Sequence, residues 1–166
     1  MLTAARRNEA RCLPWTEIAP TGDLWLLPAT RNKTARDFEV ALSTPMVEIL
    51  AKLPRLGDYV FTVNGSKPWT AHDKFKTALD RKSGVTGWVY HDLRRTVRSR
   101  LAELHIPYEI AERVLNHAMT RIERIYNRHA YRQEKAKALQ AWADHLLFIV
   151  GEGREAPNVV TLRAGG

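Results

Sequence analysis

One cysteine, Cys12, occurs among the 166 residues. A single thiol builds neither an internal disulfide framework nor a cysteine zinc site, which points to a reducing compartment and a cytoplasmic protein. Long hydrophobic runs are missing too. No stretch approaches the roughly 18 apolar residues of a membrane span, and the start, MLTAARRNEARCLPW, lacks the apolar core of a secretory leader, so no membrane partner is expected. There is no internal repeat and no low-complexity segment. Acidic residues are outnumbered, 18 Asp+Glu against 26 Lys+Arg, leaving a formal charge of +8. That excess makes a polyanion the first partner to consider, because neutralising phosphates releases condensed counterions. With 45% hydrophobic and 27% charged residues, the composition is that of a soluble globular chain long enough for one domain with its own core.

What is present reads as α+β and mainly helical. Residues 2–13 carry apolar positions at spacings of three and four and stop at Pro14, as the uncapped end of a helix. Residues 24–27 and the alternation of Phe38, Val40 and Leu42 with polar neighbours predict a β-hairpin whose tip is residues 30–34. Thr44 and Pro45 open a short amphipathic helix ending near Gly57. A strand over residues 59–63 follows, then a helix entered at residues 70–73 and running through Leu79. Helices are expected at residues 91–104, 108–115, 121–126 and 131–150, the last with Leu139, Trp142, Leu146 and Ile149 on one face. Residues 1–150 form the domain, and residues 151–166, rich in glycine, form a flexible tail. Core packing is the expected role of all five tryptophans.

The most informative residues are His91-Asp92-Leu93-Arg94-Arg95-Thr96, then Leu115-Asn116-His117, then Tyr126, with steps of 3, 23 and 9 from His91 to Arg94, His117 and Tyr126. This pattern resembles the catalytic domain of the tyrosine recombinase (phage integrase) family, with its H-x-x-R, L-G-H-like box and nucleophilic tyrosine. Segments A-E-R-V-L-N-H and I-Y-N-R-H-A-Y look most like integrases of prophages and genomic islands. Upstream, Thr3-Ala4-Ala5-Arg6-Arg7-Asn8-Glu9 is similar to the family's T-G-x-R-x-x-E box, which singles out Arg6 rather than Arg7. Lys33, on the hairpin tip, matches the family's lysine. The implied fold is a helical core with a small antiparallel hairpin at its edge.

The chemistry explains the residue types. Charge builds on the non-bridging oxygens as a phosphodiester is attacked in line, and Arg6 and Arg94 can each present a fork of donors to it. The resemblance implies that Tyr126 is the nucleophile, His91 assists its proton transfer, Lys33 protonates the leaving 5′-oxygen and His117 adds a donor to the phosphate. No cofactor and no metal are implied; the six histidines show no H-x-x-x-H or H-E-x-x-H spacing. Taken singly, an arginine more commonly lies on a solvated helix face and Tyr126 would more commonly be a core aromatic; the ordered set carries the reading. Tyr131, 14 residues after His117, is the rival nucleophile.

Two departures stand out. Ala4 and Asn116 occupy positions where the family has glycine, the latter expected to alter the backbone only modestly. The chain also starts five residues before Arg6, which reads as a catalytic domain lacking its first helices and the opposing DNA clamp. Weak, salt-sensitive DNA binding is expected from that, and exposed apolar surface near Leu2, Leu13 and Trp15. The implied partner is double-stranded DNA at attachment sites, met by a homo-tetramer in the full-length form and aided by a DNA-bending host factor. Residues 159–162 are either a β-prone segment docking on a neighbour or part of a disordered tail. Two readings remain beside site-specific recombination: a non-catalytic DNA-binding remnant of a decayed prophage integrase, and a type IB topoisomerase-like relaxing enzyme.

Overall fold

A computed structural model describes residues 1–117 and 131–151. The described elements are α1 (Arg7–Arg11), a 3-10 turn (Trp15–Glu17), β1 (Leu24–Leu27), β2 (Phe38–Ala41), α2 (Thr44–Lys52), α3 (His72–Ser83), α4 (Tyr90–Glu103), α5 (Tyr108–Val114) and α6 (Arg132–Ile149). The expected helix over 121–126 and the segment 159–162 lie outside the described residues.

The hairpin forms where alternation predicts it. β1 and β2 pair antiparallel with Leu24 opposite Ala41 and Trp25 opposite Val40. Trp25, Leu27 and Val40 turn into the core while Leu26 faces outward, the period-2 pattern of a sheet with one covered face. α6 is the element the others close on, touching α5, β2, α4 and α2. Its buried face runs through Lys135, Ala138, Leu139, Trp142 and Ala143, and the two alanines let neighbouring backbones approach. Full burial of a leucine such as Leu139 contributes roughly 2 kcal/mol, more than the helix propensity of any residue in α6, which holds no glycine or proline. α6 is also clamped to β2: Arg132 holds Glu39 through Nε at 2.8 Å and Nη2 at 2.5 Å, and the buried Lys135 donates to the Glu39 carbonyl at 3.0 Å.

Several expectations are corrected. The first helix begins at Arg7, because Ala4 takes φ +51° and breaks the helical path, and it is capped by Glu9, whose Oε2 accepts the Arg6 backbone N–H at 3.0 Å. α2 stops at Lys52, two residues before Pro54, rather than near Gly57. Among the described residues, 59–63 pair with no strand and make isolated bridges, Pro14 to Tyr59 and Thr62 to Pro68. α3 runs on to Ser83, where Gly84 at φ +71° ends it. Leu13 is wholly buried and Leu2 and Trp15 are half-buried; exposed apolar side chains elsewhere include Val63, Phe75, Val85, Val89 and Tyr108, and Phe148 and Ile149 where α6 outruns the core. Trp25 and Trp142 are core residues, whereas Trp15, Trp69 and Trp88 are half-buried. Among the described residues no helix is long and apolar enough to cross a membrane.

Candidate active site

α4 buries Arg94, Val97 and Leu101 on one stripe, so Arg94 is the outermost member of a core-facing row. His91, three residues earlier, shares that side but is exposed. Arg94 is 7% exposed, and its guanidinium donates to the carbonyls of Ala4 and Leu115. It therefore ties the chain before α1 and the end of α5 to α4. Burial, seconded by repulsion from Arg6, pushes its pKa down to about 10, which leaves it charged at neutral pH.

Arg6 is aimed by its own box. Glu9, itself buried, accepts from Arg6 Nη1 at 2.9 Å, and Arg6 Nη2 donates to the Asn116 carbonyl at 3.3 Å. Two like charges thus sit side by side, an arrangement that an anion relieves. Ala4 and Asn116, the two positions that depart from glycine, have φ +51° and +50°, the left-handed region glycine enters freely.

Lys33 arrives on the hairpin tip. The tip is pinned on both sides of it: Arg31 donates to Glu17 from Nε at 2.6 Å and from Nη2 at 2.9 Å, and the buried Asn32 donates to the Arg36 carbonyl at 2.6 Å. Glu17 also accepts from the indole of Trp25 at 2.8 Å, so the hairpin's core tryptophan and its tip share one buried carboxylate. Lys33 is exposed and has no hydrogen bond or ion pair among the described residues.

A cleft of about 860 Å³ brings Arg6, Lys33, His91 and Arg94 together, with Arg7 and Arg31 at its wall. Arg7 is exposed and stands over the Tyr90 ring at 5.8 Å, while Arg6 is the arginine locked by Glu9. His117 is not in the cleft wall but follows Asn116 directly, exposed, with Nδ1 2.6 Å from Glu112 Oε2. Arg98 Nε donates to the other oxygen of Glu112, also at 2.6 Å. Burial alone raises the Glu112 pKa, but the hydrogen bonds from His117 and Arg98 outweigh it and hold the carboxyl below its usual range. A carboxylate on Nδ1 assigns that nitrogen its proton and leaves Nε2 to face outward partners. Tyr126 lies outside the described residues. The rival Tyr131 packs against the core with the Arg113 guanidinium 4.0 Å from its ring centre. Among the described residues no three His, Cys, Asp or Glu side chains group as a metal site.

Sequence reasoning missed Glu112, Glu17, Asn32 and the role of Asn116. Glu112 stands five residues before His117, beyond the i, i+4 reach of a helix, and only the left-handed turn at Asn116 folds the ring back to it. Arg31 beside Lys33 had a signal, its place on the tip, that pointed to position without a partner.

An edge hairpin thus brings a lysine to a helical core that carries two neighbouring arginines and a histidine. Residues 1–133 match the phage integrase family, and the chain belongs to that family. Its mainly helical fold with a two-stranded antiparallel sheet is that of a tyrosine recombinase catalytic domain. It is similar to the prophage integrase IntA of Escherichia coli (strain K12), 30% identical over 149 residues that cover 87% of this chain and 36% of that protein. The chain thus spans little more than a third of that relative's length. No solved structure matches.

Proposed function

We propose that the chain recombines DNA at specific sites by cutting and rejoining strands through a 3′-phosphotyrosyl intermediate on Tyr126. The observation that carries the reading is the single cleft lined by Arg6, Lys33, His91 and Arg94, residues drawn from three separate parts of the sequence. Arg6 and Arg94 grip the non-bridging oxygens of the scissile phosphate, and their fixed forks are worth most as charge builds there. The phenol oxygen of Tyr126 forms a bond to phosphorus while the bond to the 5′-oxygen breaks. His91 takes the phenol proton, Lys33 gives one to the departing 5′-oxygen, and His117 donates to the phosphate. Attack of a 5′-hydroxyl on the phosphotyrosine reverses the step, so no external energy source is consumed.

The partner in this reading is double-stranded DNA carrying attachment sites, bound in the cytoplasm by four protomers of the full-length protein and bent by a host factor. Residues 1–150 supply the chemistry in this reading, and the expected tail over 151–166 lies, beyond Gly151, outside the described residues. The test is a denaturing-gel assay with nicked duplexes cut from the junctions that flank the gene. A covalent adduct with the chain that disappears in Tyr126→Phe supports the reading. Sequence-independent binding with no adduct, from this chain and from an upstream-extended one, favours the DNA-binding remnant instead.

A further inference from the structure

Among the described residues Lys33 has no anchor of its own, yet a general acid works only within hydrogen-bond reach of the oxygen it protonates. The residues on either side of it are held from across the fold. Asn116 Nδ2 donates to Asn32 Oδ1 at 2.9 Å, and Thr34 Oγ1 donates to Asn116 Oδ1 at 3.4 Å. Asn32 is 5% exposed, and its Oδ1 also accepts the Thr34 backbone N–H at 3.1 Å, so the carboxamide of Asn116 completes a buried polar knot at the base of the tip. The backbone of the same residue faces the arginines: its carbonyl accepts from Arg6, and the preceding Leu115 carbonyl accepts from Arg94.

We infer that Asn116 is the positioning residue of Lys33, its side chain docking the lysine hairpin onto the turn that already anchors Arg6 and Arg94. The role rests on the reading of Lys33 as the proton donor to the leaving 5′-oxygen. Glycine, the family's usual residue here, would keep the φ +50° backbone and both carbonyl contacts but could not make the dock. Asparagine does both, since it enters the left-handed region more readily than other side-chain-bearing residues. The departure from glycine is therefore a gain of one cross-link between sites 84 residues apart.

Asn116→Gly isolates the carboxamide without straining the chain. Amide hydrogen exchange on the free full chain is the first arm. Backbone amides of Arg31, Asn32, Thr34 and Ala35, all hydrogen-bonded within the tip, should exchange about tenfold faster in the variant, with α4 and α6 unchanged. Equal tip protection in both proteins overturns the inference. The second arm compares adduct formation on the nicked junction duplex with oxygen and with sulfur at the 5′-bridging position, since a thiolate departs without a proton. Asn116→Gly and Lys33→Ala should both be slowed on oxygen, the former about tenfold, and both should approach the wild type on sulfur. If Lys33→Ala stays slow on sulfur, the role of Lys33 fails while the exchange result still judges the dock. If Lys33→Ala is rescued and Asn116→Gly is unslowed, or equally slow on both substrates, the positioning role is refuted.

Discussion

Glu112 and His117 meet across the end of α5, Oε2 to Nδ1, at 2.6 Å. The same carboxylate holds Arg98 at 2.6 Å, so one acidic side chain both fixes the imidazole ring and ties α5 to α4. The exposed ring is thereby fixed, with its other nitrogen, Nε2, turned away from Glu112. Helical pairing does not produce this contact; the turn at Asn116 does.

Glu112→Gln should weaken the fold by about 1 kcal/mol at neutral pH, because a charge-assisted pair becomes a neutral one in a half-buried setting. The hydrogen bonds hold the Glu112 pKa below its ordinary 4.5 in the folded chain. A depressed carboxyl contributes stability that is complete above the unfolded value and is lost as pH falls through the folded one. Urea unfolding of both proteins from pH 7 downward should therefore show a gap that closes below about pH 4.5. A gap that is constant with pH would assign the loss to packing instead.

Arg94→Lys should be inactive although it keeps the charge. One ammonium cannot span the carbonyls of Ala4 and Leu115 as the guanidinium does, nor present a fork to the phosphate. Adduct yield on the nicked duplex should fall by roughly 100-fold or more, in the range seen when one preorganised transition-state donor is removed. An unpaired buried carbonyl should also cost about 2 kcal/mol in denaturant unfolding. Wild-type adduct yield from Arg94→Lys would remove Arg94 from the phosphate-binding set.

Legibility differed between local and distant features. The hairpin was readable because alternating residues and a polar tip are local signals, and His91 and Arg94 stood out through the H-x-x-R spacing that resembles the family's. Residues 59–63 carry the composition of a strand, but a strand requires a partner, and the sequence cannot show whether one is in reach. The short α1 was misread for a different reason: it depends on the left-handed turn at Ala4, a residue with no intrinsic preference for one. Glu17, Asn32 and Asn116 carry the site through contacts that cross the chain, and composition and spacing are blind to those.

Glu17→Ala should be the most damaging single change near the site. Its carboxylate is buried and receives both the Trp25 indole and the Arg31 fork, so removal strands a half-buried guanidinium and a buried N–H together. Breaking such a pair from one side costs about 3 kcal/mol or more. Denaturant unfolding should register that loss, and Glu17→Gln, which keeps an acceptor, should lose less. If the two variants are equally stable, the ion pair with Arg31 is without weight.

Ala4 links fold to function most economically. It sits at φ +51°, is 2% exposed, and its carbonyl is one of the two that hold Arg94. Ala4→Gly removes a buried methyl, a loss of roughly 0.8 kcal/mol, and relaxes a left-handed alanine, a gain of about 1 kcal/mol. Added freedom of the unfolded chain takes back about 0.5 kcal/mol, so the variant should stay within about 1 kcal/mol of wild type. Ala4→Val strains the turn, because a β-branched residue is a true outlier at this φ. A loss of about 3 kcal/mol is expected, with Arg94 displaced and adduct yield reduced in the molecules that remain folded. Thermal unfolding of the two variants side by side decides it: if Ala4→Val is as stable as Ala4→Gly, the left-handed turn is not what fixes Arg94.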